Sequence, residues 1–128
     1  MREPTWLSYE LVIAIHERQL REHGGPPGLR DQGALESALD RSKNRWAYEG
    51  ADLAQLAAAY AFGIAKNHPF VDGNKRTALL TLGTFLALNN IALTASEPEA
   101  VVMIRGLAAG EIDETVLARW IADNMAAS

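Results

Sequence analysis

The sequence contains no cysteine and no long apolar run. The absence of cysteine excludes disulfides, a thiolate nucleophile and cysteine-ligated zinc. Every apolar stretch falls short of the roughly 18 residues that a membrane-spanning helix requires, and the first five residues do not introduce the apolar core of a signal peptide. A formal net charge of -4 argues against a nucleic-acid coat protein or a polybasic membrane binder. We therefore expect a soluble, cytoplasmic protein with neither a direct nucleic-acid partner nor a membrane partner.

The composition that remains is typical of one globular domain. The 128 residues are 48% hydrophobic and 22% charged, and a chain of this size buries about two-thirds of its unfolded surface in a single core. Helical periodicity dominates, and strand alternation is nearly absent. We predict one domain over residues 1–128 with a compact all-α fold of about six helices. The predicted helices are residues 9–22, 32–42, 52–66, 73–88, 96–110 and a last helix from about 113 onward.

Capping residues mark several of the predicted helix starts. Ser8, Asp31 and Asp52 stand where an N-cap side chain would accept a hydrogen bond from the first helical turn. Ser96 followed by Glu99 has the form of a capping box.

Residues 43–50 carry no helical stripe, because Asn44, Tyr48 and Gly50 interrupt it. We predict a loop or a short hairpin over this segment. Trp46 lies within it and could face a partner, whereas the other tryptophans are most simply packing residues.

Residues 68–76 read His-Pro-Phe-Val-Asp-Gly-Asn-Lys-Arg and concentrate chemically active side chains at the predicted start of the fourth helix. With Asp72 near the N-cap, the backbone N–H groups of residues 73–75 would point out of the positive end of that helix. Lys75 and Arg76 are unfavourable in the first turn unless an anion lies between them. Phosphate is the natural candidate for that anion.

Asp72 and His68 would supply further chemistry beside a bound phosphate. A carboxylate next to phosphates is a usual ligand of Mg²⁺, and His68 is the one group in the motif able to take a proton near neutral pH. The combination predicts phosphoryl or nucleotidyl transfer with His68 as general base. Taken singly, Asp72 would more often be only a helix cap. We assign His16 and His23 structural roles, because nothing clusters around them in the sequence.

Residues 68–76 resemble the signature loop of Fic-domain proteins, and most closely that of the death-on-curing (Doc) toxins of bacterial toxin–antitoxin modules. Residues 28–31 and 35–39 resemble the stretch that follows the first helix in these toxins. The resemblance implies a Fic/Doc-type helical bundle with the signature loop between the third and fourth helices. It also implies that His68 is the general base, that Phe70 anchors the loop and that Asp72 binds Mg²⁺. The nucleotide phosphates would be bound by Gly73, Asn74, Lys75 and Arg76, with Lys66 as a further cation at the pocket rim. Residues 43–50 would form a flap that docks the target, with Trp46 and Tyr48 as its contacts.

Two positions depart from the pattern of the AMP-transferring members of the family. Those members have glycine where this chain has Lys75, and a second arginine where this chain has Leu79. A lysine side chain obstructs the distal phosphates in that pose, and leucine cannot replace a bidentate clamp.

In the Doc branch ATP lies reversed and presents its γ-phosphoryl group to the histidine. The resemblance therefore implies a protein kinase that uses ATP and Mg²⁺ to modify a threonine or serine hydroxyl, by family analogy in elongation factor Tu, and so arrests translation. AMP transfer onto a protein hydroxyl, or a catalytically idle module that only binds an antitoxin, remain as alternatives.

The sequence also lacks a self-inhibitory segment. Self-inhibited Fic proteins carry Ser or Thr, three residues, Glu, and then Gly or Asn. The nearest match here ends in Glu49 and Gly50 but has Arg45 at the Ser/Thr position. We therefore expect control by a cognate antitoxin, a separate chain whose segment folds on this protein and lays a helix in an apolar groove.

Overall fold

The computed structural model describes residues 2–128, most of which are helical. This confirms the predicted all-α fold; the single-domain prediction starts at Met1, which lies outside the described residues. Within residues 2–128, none of the helices is both long enough and apolar enough to cross a membrane. In chain order the elements are α1 Tyr9–His23, α2 Gln32–Glu49, α3 Leu53–Asn67, α4 Asn74–Leu88, β1 Ile91–Leu93, α5 Glu97–Ala109, α6 Glu114–Asp123 and β2 Met125–Ala127.

Helix α3 lies at the centre of the molecule and contacts α2, α4, α5 and α6. Its middle is rich in alanine and almost entirely buried, and these small side chains form a helix readily while letting neighbouring helices approach. At Gly63 a Cβ would lie 2.8 Å from the Cβ of Ala38 on α2. The α2 and α3 backbones can therefore approach this closely because residue 63 is glycine.

The N-caps predicted at Ser8, Asp31 and Asp52 are confirmed. Each side chain accepts a hydrogen bond from the backbone N–H three residues further on. Asp52 also takes part in a complete capping box, because the Gln55 side chain accepts from the Asp52 N–H at 2.8 Å.

The capping box predicted at Ser96 is only half formed. The Ser96 hydroxyl accepts from the Glu99 N–H at 3.3 Å, but the Glu99 carboxylate accepts from the indole N–H of Trp120 at 2.8 Å. The side chain that would complete the box instead joins α5 to α6.

The loop predicted over residues 43–50 is wrong, because α2 continues through this segment to its C-cap, Gly50, which adopts φ 63°. Tertiary contacts explain the extension. The Ser42 hydroxyl donates to a backbone carbonyl of α3 at 2.8 Å, and Trp46 packs edge-on against Trp6 with ring centroids 6.2 Å apart. These contacts override the weak apolar periodicity of the segment.

Two short strands, one after α4 and one after α6, form a two-stranded sheet. β1 pairs antiparallel with β2, so that Ile91 pairs with Ala127 and Leu93 pairs with Met125. Three residues reading Met-Ala-Ala carry no strand pattern of their own, so β2 was not predictable without its partner.

Candidate active site

Residues 68–73 of the signature loop join α3 to α4, and the loop opens onto a cleft of about 510 Å³. Part of its lining comes from loop residues and the first turn of α4, and part comes from one face of α5. Val101 and Ile104 make the middle of that face apolar, with Glu97 and Arg105 on either side. The residues of the predicted site that line the cleft are His68, Asp72, Gly73, Asn74, Lys75 and Arg76.

His68 is the C-cap of α3 and adopts a left-handed backbone conformation, with φ 49° and ψ 56°. The guanidinium of Arg30 fixes this unusual backbone by donating to the carbonyls of His68 at 2.6 Å and Asn67 at 2.8 Å. The imidazole itself is exposed and lines the cleft. It can therefore meet a hydroxyl group that enters from solvent.

The first half of the signature loop is held by the connector, residues 24–31, which links α1 to α2. The carbonyl of Pro69 accepts from the consecutive backbone N–H groups of Arg30 at 2.7 Å and Asp31 at 3.0 Å. The N–H of Val71 donates to the carbonyl of Gly28 at 3.1 Å. A segment about 40 positions away in the sequence thus fixes the loop through its backbone.

Asn74 closes the loop on itself. Its carboxamide oxygen accepts from the Phe70 N–H at 3.0 Å, and its amide nitrogen donates to the Phe70 carbonyl at 2.9 Å. Both residues are buried. Of the groups predicted to surround the phosphates, Asn74 therefore offers its backbone N–H, since its carboxamide is already bonded within the loop.

The cap of α4 differs from the prediction. Gly73, with φ 78° and ψ 19°, is the N-cap, and no side chain caps this helix. Asp72 lies next to the N-cap as predicted, but the alternative that it is only a helix cap is wrong, because it precedes the cap position by one residue. The Asp72 carboxylate instead lies beside Gly25, at which any Cβ would collide with it. The first amides of α4 are left for an anion, and the carboxylate is left for a cation.

Positive charge surrounds this helix end. Lys75 and Arg76 are exposed on its first turn, and Arg105 reaches the same cleft from α5. Within residues 2–128, none of these three side chains forms an ion pair. Lys66 is placed differently, because its ammonium donates to the carbonyl of Ala108 at 3.3 Å and it is not part of the cleft wall.

Two histidines that the sequence left as structural residues lie at the site, so the expectation that nothing clusters around them is wrong. His23 lines the cleft. His16 is 3% exposed, its ring stacks on Phe70, and its Nε2 lies 2.8 Å from the carbonyl oxygen of Asp72. The burial of His16 could have been predicted from its position in the sequence, because His16 follows Val12 by one helical turn and so shares the buried face of α1.

The predicted docking flap has no counterpart as a loop, because Trp46 and Tyr48 lie on α2. Trp46 is half-buried against Trp6, and Tyr48 is 85% exposed. Neither side chain lines the cleft.

The residues at the cleft suit Mg²⁺ bound together with phosphates. Within residues 2–128, no three histidine or carboxylate side chains are close enough to form a metal site of their own. The Asp72 carboxylate stands alone, exposed and uninvolved in capping. Mg²⁺ in nucleotide sites is commonly held by one or two carboxylates, with phosphate oxygens and water completing its octahedron. Asp72 fits that requirement as a hard oxygen ligand.

Comparison with known proteins identifies the family. A sequence model of the Fic/DOC family matches residues 6–86, which include the whole signature loop. The chain belongs to this family. It is 38% identical over 113 residues to the protein of Escherichia phage P1 named protein kinase Doc, and the alignment covers 88% of this chain and 89% of that protein. It is also 41% identical over 76 residues to toxin Doc of Mycolicibacterium smegmatis, covering 56% of this chain and 57% of that toxin.

Proposed function

We propose that this Fic/Doc protein is the toxin of a toxin–antitoxin module and acts as a Mg²⁺-dependent protein kinase. The observation that carries the proposal is the arrangement at one end of α4. One cleft is lined by an exposed histidine, by a carboxylate that caps no helix and by a helix N-terminus that has no side-chain cap and is flanked by cations. The names of the two relatives, protein kinase Doc and toxin Doc, support the same class of activity.

Each residue has a defined task in this reaction. His68 accepts the proton of the target hydroxyl as its oxygen attacks the γ-phosphorus, and ADP leaves. Lys75, Arg76 and the first amides of α4 bind the phosphates. Mg²⁺ held by Asp72 would neutralise charge on the phosphate oxygens.

Lys75 and Leu79 favour phosphoryl transfer over AMP transfer. Both side chains line the cleft, with Leu79 one helical turn after Lys75. A lysine occupies the space that the distal phosphates need in the AMP-transferring pose. Leucine leaves that pose without its arginine clamp. ATP in the reversed orientation places its γ-phosphoryl group at His68 and needs neither the space that Lys75 occupies nor an arginine at position 79.

The protein target we propose is a threonine of elongation factor Tu, and the regulator is a cognate antitoxin acting in trans. Both follow from the resemblance to Doc toxins. The absence of a self-inhibitory segment at Arg45 and Glu49 agrees with external control.

The deciding measurement is the intact mass of purified elongation factor Tu after incubation with this protein, ATP and Mg²⁺. We expect a gain of one phosphoryl group. The matched inactive variant is His68→Asn rather than His68→Ala, because asparagine tolerates the left-handed backbone at this position better than alanine does. We expect no mass change with that variant.

Other outcomes reject parts of the proposal. A gain of one AMP would mean that Lys75 and Leu79 do not direct the nucleotide pose. An unchanged mass, together with no Mg²⁺-dependent ATP binding by calorimetry, would support the idle antitoxin-binding module. Full activity of His68→Asn would remove His68 as the base.

A further inference from the structure

The peptide group between Asp72 and Gly73 forms a hydrogen bond with a side chain of α1. The first half of the signature loop is tied to the connector, but the connector bonds end at Val71. The carbonyl of Asp72 instead pairs with Nε2 of His16 at 2.8 Å. Because a carbonyl oxygen only accepts hydrogen bonds, Nε2 is the donor and carries a proton.

Packing immobilises the imidazole that makes this bond. His16 is almost fully buried, and its ring lies parallel to the ring of Phe70, with centroids 3.7 Å apart and an interplanar angle of 8°. Phe70 is itself fixed through both backbone groups by Asn74. The donor therefore has a set direction before any ligand binds, which is the condition for a preorganised contact.

The next turn of α1 supports the other side of the same peptide. Gln19 follows His16 by three residues, is 1% exposed and forms no hydrogen bond through its amide to any described residue. Its amide occupies the space where a Cβ of Gly73 would lie. Thus α1 presents two buried polar side chains to the backbone on both sides of the Asp72–Gly73 peptide.

We infer that His16 is a positioning residue for the metal ligand and for the phosphate-binding helix end. By holding the carbonyl of Asp72 toward α1, His16 orients the peptide plane so that the Asp72 carboxylate faces the cleft and Gly73 keeps its left-handed conformation. The inference rests on the proposed function in assigning Asp72 to Mg²⁺. His16 touches neither nucleotide nor target and acts through the backbone of Asp72.

Two substitutions separate the hydrogen bond from the ring stacking. His16→Phe keeps a flat ring against Phe70 and removes the donor. His16→Gln removes the ring and keeps an N–H donor, because the glutamine Nε2 stands the same number of bonds from Cβ as the histidine Nε2. Val12→Ala is the control for general destabilisation, since Val12 is fully buried on the same helix and belongs to the apolar core rather than to the cleft.

The first readout is calorimetric binding of ATP with Mg²⁺ and of ATP with EDTA. For His16→Phe we expect the affinity for ATP with Mg²⁺ to fall about tenfold, because the Asp72 carbonyl loses the donor of a partly buried hydrogen bond. We expect the affinity for ATP with EDTA to fall less, by no more than about threefold, because the helix end loses its support while Lys75 and Arg76 are unchanged. His16→Gln should recover the Mg²⁺-dependent affinity to within about threefold of wild type, and Val12→Ala should bind as wild type does.

The second readout needs no nucleotide. The amide resonance of Gly73 reports on the peptide whose carbonyl His16 holds, and it should move in His16→Phe and stay near its wild-type position in His16→Gln. If wild type failed to bind ATP with Mg²⁺, the proposed function would fail, while this resonance would still decide the role of His16. Wild-type binding and an unmoved Gly73 resonance in His16→Phe would overturn the inference, as would equal losses in His16→Phe and His16→Gln.

Discussion

At the scale of single residues, the Asp72 carboxylate forms no hydrogen bond with any described residue, although the backbone carbonyl of Asp72 is bonded to His16. A side chain without a structural partner contributes little to folding, and a charge beside the proposed phosphate site would contribute to ligand binding instead. Stability and function are therefore separable at this position.

We predict that Asp72→Asn lowers the rate of phosphoryl transfer at least about a hundredfold, a loss of the size seen when a preorganised charge-stabilising group is removed. The free energy of unfolding should change by less than about 0.5 kcal/mol, since the residue caps nothing. The measurements are a transfer assay across a range of Mg²⁺ concentrations and urea denaturation.

Asp113→Ala is the matched control, because Asp113 does cap a helix by accepting from the Val116 N–H at 2.8 Å. It should cost about 1 kcal/mol of stability and leave transfer intact. An Asp72→Asn protein with full transfer at ordinary Mg²⁺ would contradict the metal role.

A second residue-scale effect concerns Tyr60 in the core. Burial raises the pKa of its phenol to about 12 from 10.0; the N–H of Leu7, which donates to the phenol oxygen, lowers the pKa, and the charge of Asp40 raises it. Because the folded state holds the proton more tightly, this group stabilises the fold fully below pH 10. The contribution is lost as pH rises from 10 to 12.

We predict that Tyr60 alone accounts for about 2–3 kcal/mol of the stability lost by pH 12, as two pKa units require. Tyr60→Phe should be somewhat less stable at neutral pH, since the Leu7 N–H loses its acceptor, but its stability should decline less steeply above pH 10. Denaturant unfolding of both proteins from pH 8 to pH 12 measures the difference. Parallel declines would show that the Tyr60 proton does not contribute.

At the scale of the element, α4 has one glycine at its N-cap and another in its interior, and the two positions differ in whether they tolerate a Cβ. Gly73 caps the helix with a positive φ and lies directly above the Gln19 amide, whereas a Cβ at Gly83 would meet nothing within 4 Å. The first glycine is required by backbone conformation and by space. The second only lowers helix propensity.

Substituting alanine at the two positions should therefore change stability in opposite directions. Gly73→Ala should cost at least about 1–2 kcal/mol, because alanine is strained at this φ and its Cβ displaces Gln19. Gly83→Ala should add about 0.5–1 kcal/mol through helix propensity. Urea midpoints of the two variants and wild type test both signs, and a Gly73→Ala protein as stable as wild type would contradict the cap geometry.

Element boundaries were predictable where a local signal exists. The N-caps at Ser8, Asp31 and Asp52 each act through the next three residues, so the sequence alone locates those helix starts. The end of α2 depends instead on contacts between Trp46 and Trp6 and between Arg45 and α6, which no local pattern records. The site divides in the same way: the motif at residues 68–76 was visible, and its support by His16 on α1 was not.

At the scale of the whole molecule, a cluster of charges ties the last helix to the second. The Glu114 carboxylate, at the start of α6, pairs with Arg45 at 2.8 Å and also with Arg41. Glu114 is mostly shielded from solvent, and Arg41 also lies over the ring of Phe62. A partly buried carboxylate shared by two guanidinium groups is worth more than a surface ion pair.

Glu114→Gln should consequently lower the free energy of unfolding by about 1–2 kcal/mol, between the values typical of exposed and buried pairs. Glu22→Gln, which removes the exposed Arg18–Glu22 pair, should cost no more than about 0.5 kcal/mol. Thermal and urea unfolding of the two variants provide the comparison. Equal effects would mean that the Glu114 cluster does not hold α6 to α2.

The connector between α1 and α2 has a consequence for protein engineering. Its run Gly24-Gly25-Pro26-Pro27-Gly28 has the composition of a flexible link, the usual choice for inserting a reporter or opening a circular permutant. Yet the backbone of residues 28–31 forms the hydrogen bonds that shape the signature loop, and Gly25 makes room for Asp72. We expect an insertion here to leave the helices able to pack and still to misplace Asp72, the proposed metal ligand, so this short exposed segment should tolerate changes of length no better than the core tolerates changes of volume.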